Sequence, residues 1–301
     1  MKILLTGASG QLGRELQSCL AGLGEITAVD RLPDEEGSVG LDLTHLQEVE
    51  TLLNRIRPDV VINAAAYTAV DKAENDSRTA FCLNAELPAC LARWSKRDNA
   101  FLLHYSTDYV FGGESGRPYR EADVPGPLGV YGASKLAGEW AVGASLCRHI
   151  VLRTSWVYST HGNNFVLNML RLARQRSELS IISDQTGCPT WARNLARVSA
   201  SVLTQALADG ANSPRQGIFP YCDNNAVTWY DFANMIFRLA AEQRLLHEIP
   251  RLKAIKSTEF PQVARRPSYS VLDTTVIQNT FGIQPQDLEI SLRACLEEFQ
   301  P

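Results

Sequence analysis

Through the first half of the chain, short apolar runs alternate with longer stretches whose apolar positions recur at helical spacing. Lys2 to Thr6, Ile26 to Val29, Val60 to Ile62 and Phe101 to Tyr105 have the length and apolar content of buried strands. Between them, Gln11 to Leu23, Leu46 to Ile56 and Ala80 to Trp94 carry the pattern of amphipathic helices. Leu41-Asp42-Leu43 reads as the close of a further short strand, and Tyr67 to Glu74 as a polar connection. The alternation predicts an α/β, Rossmann-type doubly wound parallel sheet, with ligands gathered at the carboxyl ends of its strands.

Further along, a helix is expected from about Tyr131, a strand from Ile150 to Arg153, and helices over Asn164 to Arg174, Asn194 to Ala208 and Thr228 to Glu242, with Ile181 to Pro189 crossing back. The expected organisation is a dinucleotide-binding domain over residues 1–150, to which segments near 175–197 and 228–255 return, and a smaller, interleaved C-terminal domain made mainly from 151–301. The loosest stretches are Pro33 to Gly40, Gly112 to Pro127 and Asp209 to Gln216, where Gly, Pro and polar residues cluster.

Candidate chemistry falls at the strand ends. The first strand runs into Gly7-Ala8-Ser9-Gly10-Gln11-Leu12-Gly13, and a helix follows. The three glycines suit a tight turn, a close approach of backbone to a pyrophosphate, and close helix packing. The amides that open the helix, at Gln11 and Leu12, then face phosphate. The second strand ends at Asp30-Arg31, about 20 residues beyond the turn, where a carboxylate accepts from an adenosine ribose. A guanidinium beside it pairs with a 2′-phosphate, so the choice between NADPH and NADH stays open. Asp42 and Leu43 are candidates for the adenine end, with a surface turn as the plain reading of Asp42. Ala64, Ala65 and Ala66 leave room for a flat ligand against the backbone. After Tyr105, the fifth run ends at Thr107. Tyr131 and Lys135 stand four apart on one helical face, where a cation near the phenol favours its ionised form. A Thr, a Tyr and a Lys are the parts needed to move a proton onto a carbonyl oxygen.

Composition narrows the partners. The chain has 301 residues, 45% of them hydrophobic, and a formal charge of -4, which suits a globular core and argues against nucleic acid. No run reaches the ~18 apolar residues of a membrane span. The seven cysteines are odd in number and scattered, without a C-x-x-C, and suggest a reducing cytoplasm rather than disulfides or zinc. Nothing in the composition opposes a homodimer.

Taken together, GASGQLG at Gly7, RPDVVINAAAYTAVDKAE from Arg57, HYSTDYVF from His104, VYGASKLAGE from Val130, RTSWVY from Arg153, GNNF from Gly162, ISDQTGCPT from Ile182 and ARRPSYSVLD from Ala264 resemble the extended short-chain dehydrogenase/reductase family. Within it they are similar to the branch that makes dTDP-L-rhamnose. The resemblance implies hydride transfer from NADPH or NADH to C4 of a 4-keto sugar nucleotide, dTDP-4-dehydro-6-deoxy-L-mannose. It implies Thr107, Tyr131 and Lys135 as the catalytic group, with Lys135 also on the nicotinamide ribose. Thr68, Val70, Asp108, Tyr109 and Trp156 match positions around the sugar, although Trp156 also reads as core. Asn164 and the pair Arg265-Arg266, Arg266 foremost, match the nucleotide end. His104 and His161 are not needed. Some members hold Mg2+ on glutamates; Glu15 and Glu297 match, but Arg193 stands where another acid is expected, so no metal is expected. The same fold also serves nucleotide-sugar epimerases, dehydratases and the non-catalytic regulatory subunit of methionine adenosyltransferase.

Overall fold

The computed structural model describes residues 1–32, 37–210 and 213–299; residues 33–36 and 211–212, within two of the expected loose stretches, lie outside the described residues. β1 (Lys2–Thr6) leads through the glycine turn into α1 (Gln11–Leu20), then β2 (Glu25–Asp30), β3 (Val39–Gly40), α2 (Leu46–Ile56) and β4 (Val60–Asn63). The short α3 (Val70–Ala73) follows, and α4 (Ser77–Phe81) runs through a π-helical turn at Cys82–Glu86 into α5 (Leu87–Arg97). Next come β5 (Phe101–Thr107), α6 (Val130–Ala144) and β6 (Arg148–Thr154). The remainder is β7 (Val157–Tyr158), α7 (Phe165–Ala173), β8 (Glu178–Ile182), β9 (Thr186–Gly187), β10 (Thr190–Trp191), α8 (Ala192–Ala208), β11 (Gly217–Pro220), β12 (Val227–Thr228), α9 (Trp229–Glu242), β13 (Arg251–Ile255), α10 (Thr275–Phe281) and α11 (Leu288–Glu297).

Seven strands form one parallel sheet in the order β3-β2-β1-β4-β5-β6-β11. The order reverses direction between β1 and β4, which is where such sheets open a crevice for a ligand. Alternation along the strands divides the core between two faces. Ile3, Leu5, Ile62 and Leu103 meet α1, α8 and α10 on one side, while Leu4, Val61, Leu102 and Val151 meet α2 and α5 on the other. Arg153 of β6 and Glu139 of α6 form a buried two-pronged ion pair at 2.9 and 2.6 Å, which pins the Tyr131 helix to the sheet.

Several local expectations are corrected. Pairing of β3 stops at Gly40 rather than Leu43, because Asp42 turns the chain by accepting from both the amide and the hydroxyl of Thr44. The stretch 67–74 contains α3, and the helix expected from Ala80 starts at Ser77, where Asp76 caps it through the amide of Thr79. Residues 228–255 do not return to the sheet: α9 packs with α7, β8 and α11 in a separate core around Phe232, Phe237 and Leu292. The segments that do return are α8, β11 and α10. No helix among the described residues is long and apolar enough to cross a membrane.

Candidate active site

The switch point between β1 and β4 opens into a cleft of about 630 Å³. Gly7, Gly10, Gln11, Leu12 and Gly13 line it together with Asp30, Arg31, Asp42, Leu43, Ala64, Ala65, Ala66, Tyr105, Tyr131 and Lys135, so every residue expected on the coenzyme meets there. The glycines are forced by contact. Gly7 has φ +71°, and a Cβ on Gly13 would lie 2.1 Å from the Gly7 carbonyl oxygen. α1 begins at Gly10 without a side-chain cap, which leaves its first amides to whatever enters the cleft. Asp30 is partly committed: its carboxylate accepts from the amides of Ser9 at 2.9 Å and Arg31 at 2.7 Å, bracing the glycine turn. Ser9, Leu83, Ser106, Thr154, Gly162 and Asn163 also line the cleft, and sequence reading missed them. Gly162 and Asn163 follow a strand end, which is the signal that would have found them.

Lys135 is buried and donates to the Tyr105 carbonyl oxygen at 2.6 Å. Tyr105 thus offers its backbone to the site, while its phenol donates to Ser199 in the core at 2.7 Å. Burial brings the lysine down to about 8, against a smaller opposing pull from Glu139. Tyr131 is hydrogen-bonded to Thr107, and burial pushes its phenol up to about 12, with Asp108 adding to the rise. At Tyr131 burial outweighs the lowering that its bond to Thr107 supplies, and the Lys135 ammonium is turned to the Tyr105 carbonyl. The Thr107 hydroxyl donates to Asp108 Oδ1 at 3.0 Å and accepts from the Tyr109 amide at 3.2 Å. Asp108 also accepts from Ser155 at 3.1 Å, yet burial still raises it to about 6. His104 lies behind this group, fully buried beside Asn63 Nδ2 at 3.1 Å, and burial holds it well below the usual imidazole range.

On the other side of Tyr131 a narrow crevice is lined by Val70, Tyr109, Leu128, Ala264, Arg265 and Pro267. Tyr109 meets the Tyr131 ring edge-on, with centroids 5.8 Å apart. Thr68 lines the main cleft instead. Trp156 adopts φ +46°, a left-handed conformation that costs a bulky residue, and Trp229 stacks on its indole at 3.4 Å. Gly187 packs so closely that a Cβ there would come within 2.5 Å of Trp156 Cε2. Trp229 was not anticipated. Asn164 caps α7 through the Leu167 amide and donates to Gln11 at 2.9 Å, so it straps α7 to the glycine turn. Arg266 is paired with Asp71 at 2.7 Å, whereas Arg265 is exposed in the crevice and has no ion pair among the described residues.

The family model described as the RmlD substrate binding domain matches residues 1–301. The dTDP-4-dehydrorhamnose reductase of Shigella flexneri is 41% identical over 300 residues, covering 99% of this chain and 98% of its own. The chain belongs to this reductase family. A crystal structure of the dTDP-4-dehydrorhamnose reductase from Clostridium acetobutylicum superposes with a TM-score of 0.89 at 37% identity over the whole of both chains. The Bacillus anthracis enzyme, crystallised with NADP, superposes with a TM-score of 0.86 at 33% identity over 99% of both.

Within the reductase family, a bound Mg2+ would need several acids in one place. Here Arg193 donates to Glu15 at 2.8 Å and to Glu298, rather than Glu297, on its other side. A guanidinium already satisfies Glu15, and no cluster of His, Cys, Asp and Glu among the described residues is arranged to hold a metal. The residues present do not fit the ion.

Proposed function

We propose that this chain reduces the C4 carbonyl of dTDP-4-dehydro-6-deoxy-L-mannose to give dTDP-L-rhamnose, using NADPH in preference to NADH. The observation that carries the reading is the meeting of Lys135 and Tyr131, itself hydrogen-bonded to Thr107, at one cleft with the glycine turn, in a chain whose relatives bear this activity in their names. A nicotinamide coenzyme, held by the glycine turn, the Ala64–Ala66 backbone and Lys135, supplies the hydride. The remaining work is to place a proton on the oxygen as charge develops there.

Tyr131 suits that task because its raised pKa keeps the phenol protonated throughout the neutral range. It donates from Oη to the substrate oxygen, while Thr107 turns its hydroxyl from Asp108 to the same atom. Lys135 spends one N–H on Tyr105 and keeps two for ribose hydroxyls, and its charge steadies the phenolate left after proton transfer. Asp30 is partly committed to bracing the turn, and Arg31 is exposed beside it, so the balance leans to the 2′-phosphate. The lean is modest, since an exposed charge contact is worth roughly 1 kcal/mol. Arg265 faces the substrate's diphosphate, with Arg266 anchored behind it. The part of the chain around α7, α9 and α11 serves as the sugar-nucleotide side. Seven free cysteines suit a reducing cytoplasm.

Turnover of the keto sugar with NADPH, product stereochemistry being read by NMR, tests the reading. Tyr131→Phe should lower turnover by at least about a hundredfold and leave coenzyme affinity intact. Turnover near the parent value would overturn the assignment.

A further inference from the structure

The short helix α3 and the residue just past it carry two carboxylates that the reaction does not use, and each reaches far along the chain. Asp71 Oδ1 accepts from the amides of Val263 at 3.2 Å and Ala264 at 3.0 Å, and Oδ2 accepts from Arg266 Nη2 at 2.7 Å. These three bonds grip the chain on both sides of Arg265. Just past the end of α3, Glu74 accepts from the amide of Val130, the first residue of the Tyr131 helix, at 2.8 Å. The same few residues therefore touch both walls of the crevice that Tyr131, Tyr109 and Arg265 line.

We propose that Asp71 is a positioning residue for the sugar nucleotide: by clasping Val263, Ala264 and Arg266 it presents Arg265 to the diphosphate at a fixed distance from Tyr131. The inference rests on the reductase reading and on Arg265 meeting the diphosphate. Magnitudes separate positioning from general stability. The Asp71 side chain is 41% exposed, so its ion pair contributes little to folding. The clasp nonetheless decides where a guanidinium sits, and a displacement of about 1 Å in a positioning group costs up to about a hundredfold in reaction. Arg266 also has a buried Nε with no partner among the described residues, so Asp71 sets how that guanidinium lies.

The experiment compares Asp71→Ala, Asp71→Asn, Arg265→Ala and the double variant Asp71→Ala/Arg265→Ala. For each, dTDP and NADPH affinities are measured by calorimetry and kcat and KM with the keto sugar. Asp71→Ala should weaken dTDP and raise the sugar-nucleotide KM by about tenfold, with NADPH affinity and melting temperature unchanged and kcat within about twofold. Asp71→Asn keeps an acceptor for the two amides but loses the charge facing Arg266, and should fall between parent and Ala; it carries the test if the Ala variant folds poorly. Because Asp71 acts through Arg265, the double variant should be no worse than Arg265→Ala alone. Additive losses, a parent-like dTDP affinity in Asp71→Ala, or tighter dTDP binding on removing the carboxylate would each overturn the inference while leaving the reductase reading intact. If Arg265→Ala itself leaves dTDP affinity unchanged, the diphosphate assignment fails and the clasp has nothing to present.

Discussion

Two residues that the neutral range does not titrate alike set the pH behaviour of the site. Tyr131 stays protonated well beyond neutrality, so the phenol imposes no limit there. Lys135 does: its folded-state pKa is brought down to about 8 by burial, so the cation is present below that value and lost above it. We expect kcat/KM for the sugar nucleotide to fall as pH rises through about 8, a pH-rate profile being the measurement. A flat profile up to the tyrosine range would show that the charge on Lys135 is dispensable. The pair itself was legible in the sequence, because four-residue spacing on a helix fixes a shared face. What the spacing could not tell is that Lys135 would be turned to the Tyr105 carbonyl. The part played by Asp71 was also hidden, since its partners lie 192–195 positions away.

Elements of regular period were read well, and irregular ones were not. β1, α2 and α8 match expectation within about two residues at each end, because their apolar positions keep one period throughout. The π-helical turn at Cys82–Glu86 inserts one extra residue into a helix that periodicity reads as continuous, and only tertiary contacts justify it. Asn84 in that turn exchanges hydrogen bonds with the backbone of Tyr67 at 2.8 and 3.0 Å and donates to Ser134 of α6 at 3.0 Å. Gly138 makes the approach possible, since a Cβ there would lie 2.1 Å from the Asn84 carbonyl oxygen. Gly138→Ala should therefore cost about 1–3 kcal/mol by overpacking and lower the melting temperature by about 2–12 °C. An unchanged melt by calorimetry would mean that α6 can shift away from the turn freely.

At the scale of the molecule, the chain leaves the sheet after β6 and comes back as α8 and β11, so neither core is complete within one stretch of sequence. Of the segments expected to return, near 175–197 and 228–255, the first contains the start of α8, which packs on the sheet, whereas α9 of the second packs in the other core. The apolar face of α9 fits either core, and sequence pattern alone cannot choose. Arg193, at the start of α8, stitches the two together: it joins Glu15 of α1 to Glu298 just beyond α11, with its guanidinium 5.0 Å from the ring of Trp191. This seam carries its positive charge on a side chain, covalently, and so needs no ion drawn from solution. Its tightness should follow ionic strength and ignore which divalent ion is supplied. Chelator or added Mg2+ should leave the melting temperature where it was, whereas Arg193→Ala, by stranding the buried carboxylate of Glu15, should lower it. Rescue of that variant by Mg2+ alone would mean that the arginine occupies a berth an ion can also fill.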